Sequence, residues 1–474
     1  MAEKKEKSAS EALKETLFYA PVDAAKTLSE EEIATADAYC ASYMKFLDAS
    51  KTEREAVESA IRAAEKEGFV PFDRTAGLKP GDKVYVSNRD KALLLAVIGS
   101  RPIADGVSIA AAHIDSPRLD LKPNPLYEDS RLAYFDTHYY GGIKKYQWTA
   151  IPLALHGVVI RRDGTSVQVR VGEEAGDPVF CVTDLLPHLG TEQMKRTAAE
   201  VVKGEDLNLL IGSRPFRDDE GSELVKLNVM RLLHEKYGIT EADFLSAELE
   251  VVPAFGARDL GFDRSMIGAY GHDDRVCAYP ALTALLALDK PAYTAVTVLA
   301  DKEEIGSEGN TGMQSAFLKY FIADLAAAFG EEGRHVLQNS ICLSADVNAA
   351  LDPIYPDVME KRNCAQLNQG VVLTKYTGSR GKSDTNDASA ELMGQVRRLM
   401  EDNGVIWQIG ELGKVDAGGG GTVAKYIADL DVDTVDMGVP VLSMHAPFEV
   451  VSKIDVYMAH RAFLSKPAAR SRSV

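Results

Sequence analysis

The stretch Val107-Ser108-Ile109-Ala110-Ala111-Ala112-His113-Ile114-Asp115 is an apolar run that stops on a histidine and, two residues later, an aspartate. The run predicts a core strand, and the strand leaves His113 at its carboxyl end. In an open α/β sheet, ligands bind beyond the carboxyl ends of the strands, so the fold and the site hang on the same residues.

Further strands are expected upstream, over 83–86 and 92–98. Before them come two helices. Ser29-Glu30-Glu31-Glu32 is a capping box ahead of Ile33, Tyr39, Tyr43 and Phe46 at helical spacing. Thr52-Glu53-Arg54-Glu55 opens a second helix that ends near Gly68. Downstream, from Pro123 to Phe255, the texture becomes strand-rich. Segments 155–161 and 166–171 flank Arg162-Asp163-Gly164-Thr165 as a hairpin, and 207–212 and 247–252 read as further strands. Alternation then resumes. Strands are expected over 296–300, 340–345 and 405–409, and helices over 276–288, 312–329, 387–402 and 453–464. The reading is an α/β sandwich around a largely parallel sheet, with an inserted, mostly β domain. The α/β domain takes residues 1–122 and 256–474, and the insertion takes 123–255. The polar tail 466–474 is expected to be loose.

Composition narrows the function. Of 474 residues, 71 are Asp or Glu and 53 Lys or Arg, a net charge of −18 that repels phosphate backbones and anionic lipid. Nucleic acid and membrane surfaces are therefore not expected partners. The five cysteines are scattered and form no C-x-x-C pair, the usage of a reducing compartment. Residues 1–15 lack an apolar signal core, and runs such as 92–98 and 281–288 are too short to span a bilayer. A cytoplasmic protein is expected.

Several motifs fail on spacing. Gly378-Ser379-Arg380-Gly381-Lys382-Ser383 has Tyr376 where a phosphate-binding loop requires its first glycine. No G-x-S-x-G elbow occurs, and His234-Glu235 lacks the second histidine of H-E-x-x-H. Gly418–Gly421 reads either as a plain turn or as a tight loop before a helix, with backbone N–H groups free to face an anion or carbonyl oxygen.

What remains is a convergence. His113 follows one core strand, and His445 ends the segment 435–444. Asp301-Lys302-Glu303-Glu304-Ile305-Gly306 follows the 296–300 strand, Asp346 follows 340–345, and His272-Asp273-Asp274-Arg275 precedes an apolar helix. A single histidine at a strand end is most often a satisfied structural residue. Five such groups on one rim are hard to explain that way, because their buried carboxylates repel one another without a cation. Two histidines and three carboxylates suit zinc, manganese or cobalt. One Asp shared by two divalent ions, with two further ligands on each, uses all five and leaves one Glu to act on water.

Ala112-His113-Ile114-Asp115-Ser116-Pro117-Arg118, Asp273-Asp274-Arg275, Asp301–Ser307, Ser344-Ala345-Asp346 and Leu442-Ser443-Met444-His445 resemble, in order and approximate spacing, the aspartyl aminopeptidase family. The likeness covers nearly the whole chain. It implies a dinuclear metallopeptidase, most suited to zinc, that removes N-terminal residues, acidic ones by preference, from peptides. Asp273 is then the bridging ligand, with a cis bond to Asp274. His113 and Asp346 complete one metal, and Glu304 and His445 the other. Glu303 is the general base, and Asp115 orients the His113 imidazole. The resemblance also places His188, in Asp184-Leu185-Leu186-Pro187-His188, where the family carries a histidine that reaches a neighbouring subunit's active site. Lys375 matches a substrate-pocket lysine, and a dodecamer built from dimers is implied. The stretches 416–422 and 139–143 depart from the family pattern. The alternatives are a dipeptidase, carboxypeptidase or amide deacylase on the same scaffold, or a catalytically silent assembly or cargo-binding protein. The presence of Glu303 beside Glu304 speaks against the last, since a binding module has no use for a buried base.

Overall fold

A computed structural model describes residues 8–217 and 220–465. The expected loose tail, 466–474, and part of the N-terminal stretch lie outside them. A nine-stranded sheet forms the centre, in the order Val70–Pro71, Lys83–Asn88, Ala92–Val97, Ala295–Ala300, Ser108–His113, Ile341–Ser344, Asp433–Gly438, Val371–Thr374, Trp407–Ile409. Its four central strands, from Ala295–Ala300 to Asp433–Gly438, are mutually parallel. Antiparallel pairs flank them on both sides.

The apolar runs are continuous because both faces are buried. In Ala92–Val97 the side chains divide with the period of two. Leu93, Leu95 and Val97 join the core that holds the helices Glu30–Asp48, Glu53–Lys66, His272–Leu286, Ala390–Asp402 and Lys453–Ser465. Leu94 and Ala96 join the opposite core, under Phe317–Ala327, Gly333–Gln338 and Ala424–Ala428. The expected capping box is present at Ser29, and Thr52, which opens the second helix as expected, forms one too.

The inserted domain is a seven-stranded antiparallel sheet, in the order Ser166–Val171, Leu153–Ile160, Ala247–Pro253, Arg118–Asp129, Leu132–Tyr140, Leu209–Gly212, Cys181–Val182. The hairpin forms around Gly164, whose φ of 84° suits a residue without Cβ. Pro123 falls inside the strand Arg118–Asp129, at a register shift between Leu121 and Leu126 that releases it from the hydrogen-bond ladder.

Two helices begin later than the sequence predicts. The 312–329 segment is helical only over Phe317–Ala327, because Gly312 packs where a Cβ would lie 2.2 Å from the Ser307 carbonyl oxygen. The 387–402 segment starts at Ala390, capped by Ser389. Asp387 is drawn away to pair with Lys375 and Lys382.

Candidate metal centre

Strand register sets the rim. Ala300 pairs with His113, and Ala111 with Ser344, so three parallel strands end nearly level. Glu303 and Glu304 lie just beyond Ala300 in a short 3-10 turn, entered through Lys302 at φ 67°. Asp346 stands two residues past Ser344. Asp273 opens the helix His272–Leu286, and its peptide bond to Asp274 is cis. His445 arrives from a third, five-stranded sheet, just after its strand Pro440–Leu442.

These elements bring all five expected ligands and Glu303 together. His113 Nε2 is 3.2 Å from Asp273 Oδ1, 3.8 Å from Glu303 Oε2 and 3.9 Å from Asp346 Oδ1. His445 Nε2 is 3.1 Å from Asp273 Oδ2 and 3.6 Å from Glu304 Oε2. The two oxygens of Asp273 thus face different imidazoles. Donor atoms of His113, Asp273 and Asp346 lie within 4.8 Å of one another, as do those of Asp273, Glu304 and His445.

The electrostatics fit a cation. Burial pushes Glu303 up to about 7, and pushes Glu304 and Asp346 well above the usual carboxylate range, with the neighbouring carboxylates adding to it. Burial acts in the same sense on Asp273, but the two imidazoles outweigh it and hold this carboxyl well below its ordinary value. Burial opposes protonation of His445, yet Asp273 and Glu304 raise it to about 10. His113 Nε2 and Glu304 Oε1 are buried without a hydrogen-bond partner. A divalent metal answers both the repulsion and the missing partners, and nitrogen with carboxylate oxygen is a donor set that zinc accepts.

Around the cluster, backbone groups and carboxylates hold these side chains. His113 Nδ1 donates to the Asp115 carbonyl oxygen at 3.0 Å, and Asp115 Oδ1 lies 3.3 Å from the same nitrogen. The same carboxylate accepts the N–H groups of Glu303 and Glu304 at 3.1 and 3.2 Å and the Tyr140 hydroxyl at 2.9 Å. Glu449, which the sequence reading missed, accepts the Asp273 N–H at 3.0 Å and the His445 N–H at 2.7 Å. An acidic residue in an otherwise uncharged segment, Glu449–Ser452, was the available signal. Asp436 was also missed. It lines the cavity, takes a hydrogen bond from Thr422 at 2.8 Å, and is raised by burial to about 7.

The cavity over the cluster measures about 460 Å³. Gly419, Gly420 and Gly421 form part of its wall, so the glycine run is a cavity loop. Gly419 has φ +108°, and a Cβ there would lie 1.8 Å from the Gly378 carbonyl oxygen. Two predicted residues stand apart. Lys375 is bound to Asp387 while its neighbours Thr374 and Thr377 line the cavity. His188 is exposed on the inserted domain, in a loop with exposed Leu185, Leu186 and Leu189.

A family model for the aminopeptidase I zinc metalloproteases (M18) matches residues 46–465. The chain belongs to the M18 family. It is therefore a metallo-aminopeptidase, and the aspartyl aminopeptidases that its motifs resemble are M18 enzymes too. The probable M18 family aminopeptidase 1 of Clostridium acetobutylicum is 53% identical over 423 residues, 88% of this chain and 91% of the relative. The crystal structure of an M18 aminopeptidase from Thermotoga maritima matches with a TM-score of 0.91 at 46% identity, over 94% of this chain and 99% of that one. The mApe1 dodecamer of S. cerevisiae shares the fold at 20% identity, with a TM-score of 0.73 over 92% of this chain and 97% of that one. Among the described residues, no helix of this M18 chain is long and apolar enough to cross a membrane.

Proposed function

We propose that this M18 chain is a dinuclear aminopeptidase of the cytoplasm that removes N-terminal residues, acidic ones by preference, from peptides. One observation carries the reading: Asp273 turns one oxygen toward His113 and the other toward His445, each histidine having its own second carboxylate. Asp273 would be shared between two ions, His113 and Asp346 would complete one, and Glu304 and His445 the other. Zinc is the expected metal, with manganese or cobalt as substitutes. When bound, such ions lower the pKa of water toward neutrality and polarise the scissile carbonyl. Glu303 takes the proton of the attacking water and delivers it to the leaving amine. Asp115 keeps the His113 imidazole in orientation and holds the Glu303–Glu304 turn against it.

Lys375 and Lys382 share the single carboxylate of Asp387 beside the cavity wall. That trio carries a net positive charge, which supports a preference for an acidic first residue. The deciding measurement is hydrolysis of a panel of aminoacyl chromogenic substrates by metal-loaded protein, with the metal counted in the same sample. Two ions per chain and fastest release of Asp or Glu are expected. No metal, with activity indifferent to chelators, would overturn the mechanism. Fastest release of an apolar residue would overturn the preference alone.

The chain is also proposed to form a homo-oligomer, a dodecamer built from dimers that are joined through the inserted domain; the S. cerevisiae neighbour is a dodecamer. Leu189 is 71% and Met194 73% exposed in the chain by itself, beside His188. Closed symmetry covers such patches. His188 is then the residue that crosses to the neighbouring site and donates a hydrogen bond to substrate or to the developing oxyanion. Inactive Glu303→Gln chains mixed with inactive His188→Ala chains, under conditions of proven exchange, should regain activity, because some dimers hold one intact site. Full activity in His188→Ala alone, or none recovered after exchange, would confine His188 to its own fold.

A further inference from the structure

The strand Leu132–Tyr140 belongs to the inserted sheet, yet it ends against the metal centre. Three consecutive residues make three different contacts there. The Tyr140 hydroxyl donates to Asp115 Oδ2 at 2.9 Å. Gly141, at φ +76°, packs so closely that a Cβ would lie 3.1 Å from Glu304 Oε2. The carbonyl oxygen of Gly142 accepts from His445 Nδ1 at 2.8 Å. Tyr140 and Gly142 thus touch partners of both histidine-bearing halves of the cluster.

Tyr140 is itself held. It pairs with Arg118 across the sheet, and the Arg118 guanidinium lies 4.0 Å over its ring. That guanidinium sits 3.2 Å from Glu53, 3.1 Å from Glu250 and 2.8 Å from Asp120. Glu53 is the first residue of the helix Glu53–Lys66 in the catalytic unit. The ring therefore rests on a buried ion network that ties the insertion to the catalytic sheet.

We infer that Tyr140–Gly142 is a positioning clamp for the metal centre, supplied by the inserted domain. On one side the Tyr140 hydroxyl fixes Asp115, and Asp115 fixes the His113 imidazole and the N–H groups of Glu303 and Glu304. On the other side the Gly142 carbonyl fixes the His445 ring so that Nε2 points at Asp273. This inference rests on the metal-centre reading above. Outer partners of this kind set ligand orientation and basicity, and their loss costs about 10–100-fold in metal affinity or activity.

Tyr140→Phe removes one hydroxyl and keeps the ring under Arg118. It should weaken metal binding about 10-fold or more, read by competition against a coloured chelator. It should also alter the visible absorption of the cobalt-loaded protein and lower kcat with little change in KM. Loss of a buried hydrogen bond should lower the melting temperature of the metal-free protein modestly, whereas the changed cobalt spectrum and chelator-read affinity are readouts that a merely structural role would not move. Tyr134→Phe, on the same strand but stacked on Tyr127, should match the wild type throughout. Gly141→Ala is the second arm, since at φ +76° its Cβ would lie 3.1 Å from Glu304 Oε2 and 3.3 Å from Glu304 Cβ. It should weaken one of the two ions more than the other, and it decides the matter if Tyr140→Phe does not fold. If the wild type binds two ions and both variants bind them as tightly, with unchanged cobalt spectra, the clamp is refuted while the metal centre stands. If the wild type binds none, both readings fall together.

Discussion

Glu303→Gln should lower kcat by ~10²-fold or more while leaving the metal content near that of the wild type. Glutamine keeps the length and hydrogen-bonding reach of the side chain but cannot accept a proton. Glu303 lies beside the cluster, 3.8 Å from His113 Nε2 at a carboxylate oxygen, within reach of a water held there. Its neighbour Glu304 faces His445 at 3.6 Å and has a buried oxygen with no hydrogen-bond partner. Glu304→Gln should therefore show the opposite pattern, losing one ion at ordinary metal concentrations and regaining part of its rate when metal is added in excess. Metal analysis and steady-state kinetics on the two variants, run side by side, separate the roles. Near-normal kcat in Glu303→Gln would mean that the proton is carried elsewhere.

Asp273→Asn should be more damaging still. Asparagine is isosteric but neutral, and it has one oxygen where Asp273 has two. Whichever way the amide turns, its NH2 group faces one of the two imidazoles that the carboxylate oxygens now meet at 3.2 and 3.1 Å. Both ions should be lost, and activity should fall to background. The backbone contact to Glu449 is unaffected by the change, so the metal-free variant should fold. Its melting temperature, however, should no longer rise on adding zinc. A single site at a hundredfold excess of metal over Kd stabilises a fold by about 2.7 kcal/mol, and that increment should vanish. Retention of two ions by Asp273→Asn would remove Asp273 from the bridging position and with it the shared-ligand arrangement.

The parts of the fold legible in the sequence were those set by short-range rules. Ser29 and Thr52 announced their helices because capping is decided within four residues. The hairpin at Gly164 followed from turn chemistry. Helix starts were less legible. Gly312 is excluded from a helix by a carbonyl oxygen at Ser307, and Asp387 by two lysines, and neither constraint is written in helical periodicity. The change of texture at Pro123 reads as the start of the insertion, but the strand Arg118–Asp129 begins before it and a register shift lets it continue through the proline.

The sequence by itself determined which chemistry this protein carries. His113, Glu303, Glu304 and Asp346 stand just after apolar runs, and strand ends in an open sheet face one rim whatever lies between them. Tertiary structure decided what surrounds those groups. Glu449 reaches Asp273 across 176 positions of sequence, and the carbonyl of Gly142 reaches His445 across 303. Such contacts depend on the pairing of distant strands and on how the inserted sheet seats against the catalytic one. A backbone carbonyl also has no side-chain signature, since every residue carries one. The clustered His, Asp and Glu side chains could be read because their chemistry lies in their identity; the groups that hold them could not, because theirs lies only in their place.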